Sequence, residues 1–210
     1  MSSLHSAEET QLNDSFESLI QNVVPGFKVL DETLVPEGLN PHTRSICWLA
    51  EQVLLQNLRA NKDNLAIAHV ISPDSDISTW DANIKFKGAS DDFFVNIKVS
   101  DIAKPRRRND IASIKSLLRF YRENPSANLF FVVVKLGFEN CFVRFHEGVI
   151  SRGYPGIAEY VLNKRNGHLQ SYYDCPRRDA TNIDMCREIA EKSLQIGYKL
   201  EKDLTEWLHC

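Results

Sequence analysis

Asp81 and Lys98 fall on two neighbouring runs, Trp80 to Lys87 and Phe93 to Ser100, separated by the turn-rich segment Gly88-Ala89-Ser90-Asp91-Asp92. In both runs apolar and polar residues alternate, the pattern of half-buried strands. Ala82, Ile84 and Phe86 then share one face, and Val95, Ile97 and Val99 share one face. An antiparallel register that puts both sets on the core side leaves Asp81, Asn83, Asn96 and Lys98 together on the other, and the pairing expected here sets Asp81 opposite Lys98. Opposed residues have Cβ atoms about 4.5–5.5 Å apart. A carboxylate can anchor a hard cation, and a fixed ammonium beside it can stabilise negative charge as it builds. The competing reading is a surface ion pair worth about 0–1 kcal/mol.

The elements around this pair decide what it can reach. Apolar residues at Leu12, Phe16, Leu19, Ile20 and Val23 read as a peripheral N-terminal helix over 8–24, closed by Pro25-Gly26. From Asn40-Pro41, the residues Ile46, Leu49, Ala50, Val53, Leu54 and Leu58 read as a long amphipathic helix with Pro41 in its first turn. Glu51 lies near its middle, and taken alone it reads equally well as an exposed helix residue. Leu65 to Ile71 reads as a strand, and Pro73-Asp74-Ser75-Asp76 as the loop into the hairpin.

After Lys98 comes the basic run Lys104-Pro105-Arg106-Arg107-Arg108, then a helix capped by Asn109 or Asp110 and stopped at Asn124-Pro125. Strands are expected at 129–136 and 141–147. A strand, a helix and a strand in this order predict that 93–100 and 129–136 are parallel neighbours joined by a right-handed crossover. Residues 148–181 read as irregular. They carry Arg152, Lys164, Arg165, Asn166, His168, Gln170, Tyr172, Tyr173, Arg177 and Arg178, side chains able to meet phosphates and base edges. Asn182 to Leu208 reads as a closing helix.

The 210 residues, 43% hydrophobic and 25% charged, suit one domain with a real core, and no apolar run is long enough to span a membrane. The first residues lack the basic start and apolar stretch of a secretory signal, so a cytoplasmic location is expected. Five cysteines, Cys47, Cys141, Cys175, Cys186 and Cys210, without a Cys-x-x-Cys or a suitably spaced His, argue against a disulfide framework and against zinc. Cys47 and Cys141 read as small buried hydrophobes. His146 and His168 show no acidic or nucleophilic partner, which speaks against a triad hydrolase. The net charge of −3 does not favour nucleic acid, but the basic clusters at 104–108, 164–165 and 177–178 do.

A helix with a central glutamate, three strands bearing an Asp and then an x-x-Lys, and a crossover helix to a further strand resemble the PD-(D/E)XK nuclease superfamily, most closely the type II restriction endonucleases. The resemblance covers residues 41–147. It implies an α/β (α+β) fold with a central mixed β-sheet flanked by helices, a restriction-endonuclease-like αβββαβ core. The chain then divides into an N-terminal helix and loop (1–40), the nuclease core (41–147), and DNA-contacting loops with a closing helix (148–210). Asp81 matches the motif's first aspartate, Lys98 its lysine and Glu51 the helix glutamate, while Asn96 stands where an Asp or Glu is expected.

The catalytic set implied is Asp81, Asn96, Lys98 and Glu51, with Mg²⁺ on Asp81, Glu51 and Asn96. Lys104, Arg106, Arg107, Arg108, Asn109, Arg152, Lys164, Arg165, Asn166, His168, Gln170, Arg177 and Arg178 are the expected contacts to double-stranded DNA. The resemblance also implies a homodimer in a prokaryotic cytoplasm.

An amide at position 96 brings no charge, so Glu51, Asp101 or Asp110 has to compensate, or else the protein binds DNA without cutting, or the residue inactivates it. Pro73-Asp74 spells the motif's first letters and competes with Asp81. A repair or recombination nuclease of the same fold, a silent DNA-binding module and an α/β protein unrelated to nucleic acids are the rival readings.

Overall fold

A computed structural model describes residues 6–29, 43–75, 78–139 and 141–209. The expectations for Met1 to His5, the Asn40-Pro41 start of the second helix, Asp76 and Cys210 lie outside these residues. In chain order the elements are α1 (Ala7–Asn22), β1 (Gly26–Lys28), α2 (Thr43–Ala60), β2 (Ile67–Ile71), β3 (Ala82–Phe86), β4 (Phe93–Asp101) and β5 (Asn109–Ser113). There follow α3 (Ile114–Glu123), β6 (Asn128–Glu139), β7 (Phe142–Gly153), β8 (Val161–Asn163), β9 (His168–Ser171), α4 (Asn182–Gln195) and α5 (Asp203–Glu206). Among the described residues no helix is long and apolar enough to cross a membrane.

Six strands form a mixed sheet in the order β1-β7-β6-β4-β3-β2. The β4–β6 pair is parallel, as the strand-helix-strand order predicts, and runs from Phe93↔Asn128 to Asp101↔Leu136. Helices cover both faces, so β6 is apolar on both. Phe130, Val132 and Val134 meet a core shared with α1 and α2, while Phe131 and Val133 meet a second core shared with α3 and α4. The N-terminal helix is not peripheral: Leu12, Phe16 and Leu19 of α1 are fully buried in the first core.

The β3–β4 register differs from the expected one by two residues. Ala82 pairs with Val95 and Ile84 with Phe93, so Asp81 lies level with Asn96 instead of Lys98. Alternation fixes only which face each residue takes, and a slip of two residues preserves it. The observed register brings the Phe86 and Phe93 rings to 5.4 Å between centroids, inside the first core.

Three further expectations are corrected. Asn109–Ser113 is a strand, and the helix behind it starts at Ile114, capped by Ser113, whose hydroxyl accepts from the Ser116 N–H. Asn109 donates instead to the Arg107 carbonyl. Residues 148–181 are not irregular: β7 runs on to Gly153, and β8 and β9 join β5 in a second sheet of order β5-β9-β8. The closing helix is two helices, because Gly197 turns the chain at a φ of +65°.

Candidate functional site

α2 packs through Ile46, Ala50, Leu54, Leu55 and Leu58, all buried. Its stripe leaves Glu51 half-buried at the boundary of the first core. Asp81 sits where β3 parts from β4. Its backbone N–H donates to the Val95 carbonyl at 2.8 Å, and its carboxylate accepts from the Ile97 N–H at 2.6 Å. Lys98 follows Ile97 on β4 and is partly exposed.

The three charges act on one another. The Glu51 carboxyl is pushed up to about 7, first by burial and then by the Asp81 carboxylate, with Lys98 pulling the other way. Burial also raises Asp81, against the pull of Lys98 and the Ile97 N–H. Two carboxylates thus share a poorly hydrated recess with one ammonium, and carboxylates so placed resist ionising together. Cys47, one turn before Glu51 on α2, is raised by burial and then by Glu51. It is half-exposed, unlike the buried Cys141. The four described cysteines are free thiols.

Asn96 is buried beside them at 8% exposure. Its Nδ2 donates to the Thr79 carbonyl at 2.8 Å, and its Oδ1 has no hydrogen-bond partner among the described residues. Of the three acids expected to compensate for this amide, Glu51 is the one coupled to Asp81 and Lys98. Asp101 accepts from the Ala103 N–H at 3.0 Å and lies 3.7 Å from Lys104, and Asp110 bonds to β9 side chains. Asp74 is exposed in the loop after β2.

Oxygen donors of this kind suit a hard divalent cation. Mg²⁺ commonly takes one or two carboxylates and fills its remaining positions with water and substrate oxygens. Glu51, Asp81 and the unpartnered Asn96 Oδ1 are donors of that type. Among the described residues, however, no group of three or more His, Cys, Asp or Glu side chains is placed to hold a metal ion. Any such site therefore rests on two acids and an amide.

A cleft of about 910 Å³ opens beyond Lys98, lined by Cys47, Val99, Asp101, Lys104, Arg107 and Tyr173 among others. The apolar end of the polar face is closed, because Phe94 packs edge-on against Trp80 at 5.3 Å and Phe120 at 5.2 Å between ring centroids.

The basic residues divide by environment. Lys104, Arg106, Arg107, Arg108 and Asn109 line or border the cleft, with Arg106 bidentate on Asp174 and stacked over Tyr172 at 4.0 Å. Lys164, Arg165 and Asn166 are exposed on the turn between β8 and β9, and His168 and Gln170 lie on the outer side of β9.

Arg152 is elsewhere: it is 4% exposed and pairs at 3.2 Å with Glu9, itself 2% exposed. It is a buried tie between β7 and α1, not a surface cation. Arg178 donates to the Pro155 carbonyl and pairs with Glu188, while Arg177 pairs with Asp179. Both line a separate cavity of about 680 Å³ between the starts of α1 and α4.

Sequence reasoning gave His168 no acidic partner, yet its Nδ1 lies 3.1 Å from Asp110. Tyr173, expected among the DNA-facing side chains of 148–181, is instead largely buried, its hydroxyl raised first by burial and then by Cys47, with Asp110 and Glu51 among the further contributors. Recognising β9 as an alternating strand was the signal that would have placed both.

No protein-family model and no curated protein matches the sequence. The fold does match a solved structure. The NlaIV restriction endonuclease superposes with a TM-score of 0.60 over 98% of this chain and 89% of its own, at 12% sequence identity. The chain has a restriction-endonuclease-like fold. At that identity the likeness concerns architecture alone, a mixed sheet flanked by helices. The PD-(D/E)XK assignment of individual residues rests on the local geometry alone.

Proposed function

We propose that this protein is a Mg²⁺-dependent nuclease of the type II restriction class, hydrolysing phosphodiester bonds of double-stranded DNA at a short specific site. The observation that carries the reading is the meeting of Glu51, Asp81 and Lys98 from three separate elements inside a restriction-endonuclease-like fold. Asp81 and Glu51 would hold the cation, with Asn96 Oδ1 as a neutral third donor. A bound Mg²⁺ supplies charge neutralisation at the phosphate and a more acidic coordinated water.

The chain's own groups do the rest. Lys98 holds a fixed positive charge beside the reacting phosphate, where charge builds. The Ile97 N–H holds the Asp81 carboxylate against β4, so acid and lysine keep one spacing. Lys104, Arg107 and Arg108 border the cleft where a phosphate backbone would run. One such site per chain cuts one strand, so a homodimer is the economical way to cut both. Such an enzyme would work in a prokaryotic cytoplasm, where its DNA is.

The second reading is a silent DNA-binding module of the same fold. Asn96 favours it, since its amide is tied to Thr79 and brings no charge.

The test is digestion of plasmid and phage DNA with Mg²⁺, alongside binding of the same DNA in EDTA. Discrete bands are expected. A smear, or cutting only at junctions and flaps, would indicate the repair or recombination alternative. Binding without cutting would select the silent module, and neither binding nor cutting would remove DNA from the account.

A further inference from the structure

β5 and β9 pair antiparallel with Asp110 directly opposite Gln170. Leu169 and Ser171 of β9 point inward and are fully buried, so His168 and Gln170 face out. The turn before β9 requires Gly167, whose φ is +68° and where a Cβ would lie 2.3 Å from the Tyr198 hydroxyl.

On the outward face, one carboxylate gathers three side chains. Gln170 Nε2 donates to Asp110 Oδ1 at 2.6 Å, Asn166 Nδ2 donates to Asp110 Oδ2 at 3.2 Å, and His168 Nδ1 lies 3.1 Å from the same oxygen. Asn166 is held at both ends, because its Oδ1 also accepts from the His168 N–H, and it keeps its second N–H.

This arrangement decides which atoms remain for a ligand. A carboxylate only accepts, so the nitrogen of Gln170 is turned to Asp110, which leaves its Oε1 as an acceptor next to the second N–H of the amide. His168 Nδ1 lies close to the same carboxylate but without hydrogen-bond geometry, so the ring stands beside Asp110 with no tautomer fixed by it. Asp110 keeps lone pairs of its own. The patch therefore holds the Gln170 Oε1 acceptor beside a central negative charge, so a phosphate is repelled from it.

Cations flank the patch on both sides, Lys104 and Arg106 to Arg108 before β5 and Lys164 and Arg165 on the turn before β9. Tyr173, which follows β9, lines the same cleft as Cys47, Lys104, Arg107 and Asn109, so the strand carrying Gln170 leads into that cleft. β5 and β9 belong to a three-stranded sheet with β8 on the far side of β9, and the donors its outer face would meet in a major groove are the exocyclic amino groups of adenine and cytosine.

We propose that the outer face of β5 and β9 is the base-reading surface, that Gln170 accepts from the amino group of adenine or cytosine, and that Asp110 is the positioning residue that orients it. The proposal rests on the DNA-cleaving reading for its substrate but not on cleavage itself, so binding can test it separately.

The experiment selects a randomised duplex pool on the wild-type protein in EDTA and sequences the retained DNA. The retained motif is then rebuilt with purine in place of adenine, or pyrimidin-2-one in place of cytosine, so that the two bases are tested apart. Removal of the amino group at one position is expected to weaken binding roughly tenfold or more. Asp110→Asn and Gln170→Ala should lose the preference at that position. They should keep their melting temperature, and their affinity for unselected duplex should be unchanged or slightly raised.

Binding indifferent to both analogues, duplex binding with no enriched motif, or an Asp110→Asn variant with full discrimination would each overturn the proposal. Enrichment without cleavage would remove only the nuclease reading. Retention of no duplex at all would remove both.

Discussion

The carboxylate of Asp81 accepts a 2.6 Å hydrogen bond from the backbone N–H of Ile97, the residue immediately before Lys98. The bond continues the β3–β4 pairing past the last paired residue, with a side chain standing in for a carbonyl. Asp81 therefore contributes both a charge and a strand-end clamp, and substitutions can separate the two.

Asp81→Asn keeps an acceptor for the Ile97 N–H and removes the charge. It is expected to fold like the wild type, bind DNA in EDTA normally and lose cleavage by about 100-fold or more. Asp81→Ala should lose cleavage equally and in addition be less stable by about 1–3 kcal/mol, because a partly buried N–H loses its partner. Thermal melts and single-turnover cleavage measure both. Retention of more than a few per cent of cleavage in Asp81→Asn would move the site, with exposed Asp74 the next acid to test.

Glu51 gives the pH dependence. Its folded value, about 7, lies above the ordinary carboxylate range, so the folded protein binds more protons than the unfolded chain. Stability without metal should therefore fall as pH rises through the window from about 4.5 to 7 and level off above it. Glu51→Gln should flatten that part of the melting curve against pH. Cation binding has to displace the same proton, so Mg²⁺ should raise the melting temperature of the wild type more at pH 8 than at pH 6. An identical slope in wild type and Glu51→Gln would show that this carboxyl ionises freely.

What could be read from the sequence follows from the range of each interaction. The parallel pairing of 93–100 with 129–136 was legible because a strand, a helix and a strand of these lengths leave few other connections. The β3–β4 register was not, since alternation treats slips by two residues as equivalent and only the packing of Phe86 on Phe93 decides between them. Asn109–Ser113 read as the start of a helix because its partner, β9, is remote in sequence. The face shared by Asp81, Asn96 and Lys98 was legible from parity, whereas the burial of Asn96 depends on the distant Thr79 segment. Arg152 looked like a surface cation because nothing local announces that its partner is Glu9, in the first helix.

That pair makes its own prediction. Arg152 and Glu9 are both nearly inaccessible, and the Glu9 carboxylate also accepts from the Gly153 N–H at 3.0 Å. Removing one partner strands the other charge, at a cost of about 3–5 kcal/mol. Arg152→Met should lower the melting temperature sharply and, below its transition, leave the salt dependence of DNA binding unchanged. A shallower slope of log K against log salt, by about 0.9 for one phosphate contact, would instead make Arg152 a DNA ligand.

Asn96→Asp tests whether the amide limits the site. The substitution removes the donor to the Thr79 carbonyl and places a third carboxylate beside Glu51 and Asp81, so the metal-free variant should be less stable than the wild type by about 1–3 kcal/mol. The same charge should tighten the site for a divalent cation. Saturating Mg²⁺ or Ca²⁺ should therefore raise the variant's melting temperature by more than the wild type's, as expected for a ligand that binds only the folded chain. A tenfold gain in affinity corresponds to about 1.4 kcal/mol. Cleavage should rise with it if the wild-type site is starved of charge. Should the cation stabilise both proteins equally, Asn96 Oδ1 is no ligand and its lack of a partner has no bearing on metal. Should neither protein cut DNA with Mg²⁺ or Mn²⁺ while both still bind it, the silent DNA-binding module becomes the better account of the Glu51, Asp81 and Lys98 cluster.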